Sequence, residues 1–204
     1  MLRHTGTILA LGLTLALAAC GLSSKPDASA EEVARAAYRA PGGPTITLFT
    51  VLNNRSGGGA HSALMVNADQ QVMFDPAGSF YHPHLPEVGD VHFGMSPAAV
   101  EFYIDYHARE TFRVVEQTIP VSPEVAAIAM QKVRAYGAVP KAMCATSVSN
   151  ILHDVPGFES IPTTLFPKPI MQAFAQLPGV SERVVRDDSP DDNTGLIEAP
   201  HLLK

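Results

Sequence analysis

The residues of this 204-residue chain best suited to covalent chemistry are Cys144, His61 and Asp75. Cysteine occurs twice, and one of the pair, Cys20, directly follows an apolar N-terminal run, which leaves Cys144 without a disulfide partner if Cys20 is modified there. A leftover cysteine in an exported protein is buried and inert, paired with another molecule, or kept for its reactivity. Cys144 opens an apolar-periodic stretch, CATSVSNIL, that runs to about His153, so it is expected at a helix N-terminus. The unpaired backbone N–H groups and the dipole there favour an anion, which lowers a thiol's pKa. The same N–H groups can stabilise an oxyanion on a substrate carbonyl.

A thiol nucleophile needs a base, and His61 is the histidine placed to act as one. It follows Gly57-Gly58-Gly59 and opens the strand HSALMV; NADQ turns the chain, QVMFD returns it, and Asp75-Pro76-Ala77-Gly78 closes the unit with a second turn. A three-residue loop at Ala68-Asp69-Gln70 would pair Asn67 with Gln71 and Ala63 with Asp75, making Asp75 a diagonal neighbour on the His61 face. A two-residue turn would put Asp75 on the other face, because alternate strand residues point opposite ways. The longer loop is the expectation. Asp75 would then hold the imidazole tautomer and stabilise its cationic form.

Two readings compete with a thiol enzyme. His82, His84 and His92, with Glu87 and Asp90 in the loop YHPHLPEVGDVH, could gather a metal ion. Alternatively Cys144 is a small buried hydrophobe in a binding or structural module. His107 falls near the end of a helix over 96–109, where a cation is welcome.

The elements that must position these residues follow from periodicity. Strands are predicted at 45–52, 61–66, 71–75, 88–93 and 111–121, and helices at 30–39, 96–109, 122–136, 144–153 and 167–176. Ser122 and Pro123 start the helix before the cysteine, and Gly137 and Pro140 end it. Strand hairpins followed by helices predict an α+β domain, an antiparallel sheet with packed helices. With 14 basic against 20 acidic side chains and no basic block, nucleic acid is not an expected partner.

The N-terminus carries Arg3 and an apolar run of 12 residues, ILALGLTLALAA, too short to span a bilayer as a helix and therefore read as a secretory signal. Leu17-Ala18-Ala19-Cys20 resembles the lipobox of bacterial lipoproteins, in which the cysteine is acylated and becomes the new N-terminus. The resemblance implies lipidation at Cys20 and membrane attachment. With Gly21 where aspartate would signal inner-membrane retention, it points to an outer membrane facing the periplasm. The chain then divides into a signal (1–19), a lipidated polar tether (20–30), one domain (31–185) and an acidic tail (186–204) expected to be solvated.

His61-Ser62-Ala63-Leu64, Val72-Met73-Phe74-Asp75 and Met143-Cys144-Ala145-Thr146, in that order, resemble the circularly permuted branch of the NlpC-type papain-like cysteine hydrolases, across roughly residues 45–153. Ala142-Met143 departs from the Asn or Tyr often found before the cysteine. The resemblance implies that Cys144 attacks a carbonyl, His61 takes and returns the proton, and Asp75 orients His61, without a cofactor or metal. Either water or an acceptor resolves the acyl-enzyme, so hydrolysis and acyl transfer both stay open. Envelope location makes peptides or lipid acyl groups the expected substrates.

Overall fold

The computed structural model describes residues 26–197; the expected signal and the expected lipidation at Cys20 fall outside the described residues. The elements run α1 (Ala30–Ala36), β1 (Thr45–Asn53), β2 (Gly59–Asn67), β3 (Gln71–Phe74), β4 (Glu87–Val88), β5 (Val91–Phe93), α2 (Pro97–His107), β6 (Phe112–Pro120), α3 (Pro123–Tyr136), α4 (Cys144–His153), α5 (Pro167–Phe174), β7 (Ser181–Arg186) and α6 (Thr194–Ile197). Seven strands form one sheet in the order β4-β5-β3-β2-β1-β6-β7, and every neighbouring pair is antiparallel. The fold is α+β.

Local chemistry sets the helix starts. Ser29 and Glu32 form a capping box, while the hydroxyls of Ser96 and Ser122 accept from the backbone N–H of Ala99 and Val125 ahead of first-turn prolines. The left-handed Gly137, at φ 77°, ends α3.

The sheet is covered on both faces, which is why β1, β2 and β3 are apolar almost throughout instead of alternating with polar residues. Ile46, Leu48, Leu64, Val66, Val72 and Phe74 face α3, α4 and α5, meeting Val133, Val148, Leu152 and Phe174. Phe49, Val51, Ala63, Met65 and Met73 face the other way, against α2 and the loop residues Phe80, Leu85 and Met95.

Two stretches differ from the sequence expectation. The strand expected at 88–93 is a tight hairpin, β4 and β5, bent at Gly89-Asp90, where Gly89 takes φ 60°. The edge strand β7, which pairs with β6 from Arg113↔Arg186 to Thr118↔Ser181, was not expected because its residues are charged and mostly exposed. The acidic segment beyond it is fastened to the body. Asp191 accepts from the backbone N–H and hydroxyl of Thr111 at 3.0 and 2.6 Å, Ser189 O accepts from Glu110 N at 2.9 Å, and Asn193 Nδ2 donates to Tyr106 O at 3.1 Å. Asp187 and Asp191 accept from the backbone N–H of Ser189 and Thr111, while Asp188, Asp191 and Asp192 stay exposed to solvent. Among the described residues no helix is long and apolar enough to cross a membrane.

Candidate active site

The β2–β3 hairpin turns through three residues, with Asn67 opposite Gln71 and Leu64 opposite Phe74. That register brings His61 and Asp75 to the same face, and His61 Nε2 lies 2.6 Å from Asp75 Oδ1. Asp75 is 3 % exposed. The same Oδ1 accepts a hydrogen bond from the hydroxyl of Tyr103, at 2.7 Å. Tyr103 is fully buried on α2, and its phenol is pushed well above its ordinary pKa by burial and by the adjacent Asp75 charge, so it remains a donor.

With Nε2 engaged by Asp75, Nδ1 of His61 is the nitrogen left for Cys144. The thiol comes from the opposite helical layer: α4 packs on β2. Its first residue interacts with the His61 side chain and with the backbone of Ser62 and Ala145. The thiol and the imidazole are therefore supplied by different elements, the start of α4 and strand β2. Burial by itself would raise the Cys144 pKa, but hydrogen bonding to His61, its positive charge and the backbone groups together bring it below the ordinary thiol value. Burial likewise opposes protonation of His61, and the charge and hydrogen bond of Asp75 more than offset it, raising His61 to about 10. Asp75 is held far below the usual carboxylate range: burial works against this, and the positive His61 outweighs it. These coupled shifts favour a thiolate–imidazolium pair braced by a carboxylate.

The backbone before Cys144 is sharply turned. Met143 N donates to Pro140 O at 3.2 Å, and Ala142 adopts φ 67°, which a non-glycine residue rarely does. Met143, at the N-cap of α4, makes no side-chain capping hydrogen bond. The first turn of α4 thus has no cap side chain competing with an oxyanion for the N–H groups. Cys144 is 8 % exposed and, among the described residues, forms no disulfide.

His107 has a different part from the one expected. Its ring stacks on His61, with centroids 5.6 Å apart and planes 6° from parallel, and its Nδ1–H donates to Tyr103 O at 2.9 Å. Burial lowers it to about 4, with the His61 charge adding to the effect and Asp75 opposing it. It is a neutral wall of the site and not the helix-end cation anticipated, because desolvation outweighs the dipole. The sequence signal for Tyr103 and His107 was their i, i+4 spacing on the buried, otherwise apolar face of α2.

Among the described residues, His82, His84 and His92 are not grouped as a set of ligand atoms for one metal ion. His82 is fully buried edge-on to Phe102 at 4.9 Å, with its Nδ1 accepting from His84 N at 3.1 Å. His92 is buried on β5, edge-on to Phe80 at 5.1 Å, and His84 is exposed. Among the described residues, the three side chains that could hold a cation together are His61, Asp75 and His107, whose ligand atoms lie within 4.8 Å of one another. This N2O set would suit zinc, but the 2.6 Å contact between His61 and Asp75 is a proton-bridged pair.

A cavity of about 320 Å³ opens beside His61 and His107, between Ala77-Gly78-Ser79 and the fastened C-terminal residues Asp191 and Asn193. Gly78 leaves no room for a side chain, because a Cβ there would collide with the Asp75 carboxylate and come within 3.0 Å of Asp75 O. Gly78→Ala is therefore expected to push the carboxylate off His61. Alkylation of Cys144 at pH 6.5 should slow about tenfold, one unit of thiol pKa, and unchanged reactivity would show that Asp75 has room to keep its place.

Comparison of the chain with protein-family models, with curated proteins and with solved structures gives no match.

Proposed function

We propose that the protein is a lipid-anchored envelope enzyme, a cysteine-dependent hydrolase or acyltransferase of the permuted papain-like, NlpC-type arrangement. The observation that carries this reading is His61 held between the buried carboxylate of Asp75, at 2.6 Å, and the thiol at the uncapped start of α4. A structural cysteine needs neither a charged histidine nor a buried carboxylate behind it, and burying such a pair is unfavourable without a compensating use.

In this scheme the Cys144 thiolate attacks a carbonyl carbon and the C=O electrons move to oxygen, where the first-turn N–H groups of α4 receive them. Collapse of the tetrahedral species breaks the bond to the leaving group, which takes the proton from His61 Nδ1. Neutral His61 then accepts a proton from water or from an acceptor hydroxyl or amine as it attacks the thioester, and the thiolate–imidazolium pair is restored. Water gives hydrolysis and an acceptor gives transfer; peptides or lipid acyl groups of the envelope are the proposed substrate classes. Attachment through lipidated Cys20, on the periplasmic side of the outer membrane, belongs to the same proposal.

The test is covalent trapping with an activated ester. Folded protein exposed to p-nitrophenyl acetate should release nitrophenol in a burst and carry one acetyl group on the peptide containing Cys144, cleavable by hydroxylamine and absent in Cys144→Ala. A Cys144 that stays unmodified until the chain is unfolded would leave the protein as a binding or structural lipoprotein.

A further inference from the structure

The two sides of the site are carried by separate segments. Asp75 sits at the turn after β3, and Cys144 follows the linker from α3. A hollow of about 640 Å³, bordered by Gly78, Gly89, Gly137 and Ala138, lies between these segments. Asp90 lines it and bonds to both segments. Asp90 Oδ2 accepts from Ala77 N at 2.9 Å and from Val139 N at 2.9 Å, while Asp90 O accepts from Asp75 N at 2.8 Å. Three bonds from one residue thus fix the backbone of Asp75, the left-handed Ala77 two residues on, and the linker five residues before Cys144.

The setting makes this a device of position. Asp90 lies at the β4–β5 turn, where a Cβ on Gly89 would come within 3.2 Å of Gly137, so that turn abuts the end of α3. Past Val139 only the Pro140–Met143 turn separates the linker from the nucleophile, and Ala142, at φ 67°, is held there against its own preference. Ala77, at φ 57°, is the counterpart on the other side. A carboxylate oxygen receiving a backbone N–H from each of two such segments holds them at a fixed separation. Charge-assisted bonds of this kind are the stronger class of hydrogen bond.

We propose that Asp90 is a positioning residue that couples the Asp75 turn to the Cys144 linker and so sets the distance between His61 and the thiol. This rests on the thiol-enzyme reading above.

The test is the pH profile of Cys144 alkylation by iodoacetamide in the full chain, followed at the Cys144 peptide by mass spectrometry and paired with the melting temperature. In Asp90→Ala, alkylation at pH 6.5 should slow at least tenfold, an upward shift of about one unit in apparent thiol pKa. Asp90→Asn, whose carbonyl can accept the same two N–H groups, should stay within about twofold of wild type. Should alanine not fold, Asp90→Ser, too short to reach both donors, should show the same slowing. A lower melting temperature with an unshifted profile in Asp90→Ala would overturn the proposal and leave Asp90 a turn brace. A wild-type profile with an ordinary thiol pKa would overturn the enzyme reading and this inference with it.

Discussion

Replacing His61 by alanine is expected to move the apparent pKa of Cys144 up to or beyond the ordinary thiol value of about 8.5 and to slow its alkylation at pH 6.5 by about ten- to a hundredfold. Burial is the largest influence on this thiol and works against ionisation; His61 opposes it through a hydrogen bond and a positive charge. With the imidazole gone, backbone groups of Ser62 and Ala145 are the favourable influences left. The two proteins should converge at strongly alkaline pH, where both thiols are ionised, so the slowing is confined to low pH if its cause is electrostatic. Turnover of any acyl substrate should fall further, by about 10²- to 10⁴-fold, since the leaving group then lacks its proton donor. Identical alkylation profiles for the two proteins would mean that His61 does not act on Cys144, and the proposed pairing would fall.

How much of this site could be read from the chain follows from how local each contact is. His61 and Asp75 lie 14 residues apart on one hairpin, so their sharing a face hung on one local choice, a three-residue loop at Ala68-Asp69-Gln70 over a two-residue turn, and the register has the longer loop. Cys144 was legible as a helix start because Gly137 and Pro140 break the chain just before it. Tyr103 and His107 were not legible as site residues. They read as ordinary members of a mostly buried helix, and only the packing of α2 against the sheet turns their polar atoms toward Asp75. Asp90 is more hidden still, because its partners Ala77 and Val139 are 13 and 49 residues away and are backbone N–H groups with no side-chain signature. His82 and His92 show the opposite limit. Proximity in sequence suggested a ligand cluster, whereas the structure sends them into separate aromatic contacts with Phe102 and Phe80.

The Asp75→Asn variant separates the carboxylate's charge from its shape. Asparagine can still accept from Tyr103 and His61 through its carbonyl, so the hydrogen-bond frame survives and the loss is electrostatic. Without the neighbouring charge, burial again dominates His61, and its pKa should drop from about 10 to below its ordinary 6.5. The imidazolium that protonates the leaving group would then be scarce at neutral pH. The alkaline limb of kcat/KM should move down by several pH units and the rate at pH 8 should fall about 10²- to 10⁴-fold.

Stability gives an independent reading of the same variant, with a defined sign. His61 has a raised folded pKa, so its contribution is complete below pH 6.5 and is lost as pH rises through about 10. Asp75 has a lowered folded pKa, so its contribution is present above its ordinary 3.8 and is lost in acid. The pair is thus fully effective between about pH 4 and 6.5. Cys144 ionisation stabilises in the opposite pH direction, so the comparison is best made in a Cys144→Ala background, by urea unfolding at pH 5.5, 8 and 10. In that background the protein that keeps Asp75 should exceed Asp75→Asn in stability by a few kcal/mol at pH 5.5, at about 1.4 kcal/mol per pKa unit. The gap should narrow steadily toward pH 10 as His61 loses its proton. A gap that does not change with pH would mean that His61 is neutral in the folded protein, and Cys144 would then have no imidazolium beside it to hold a thiolate.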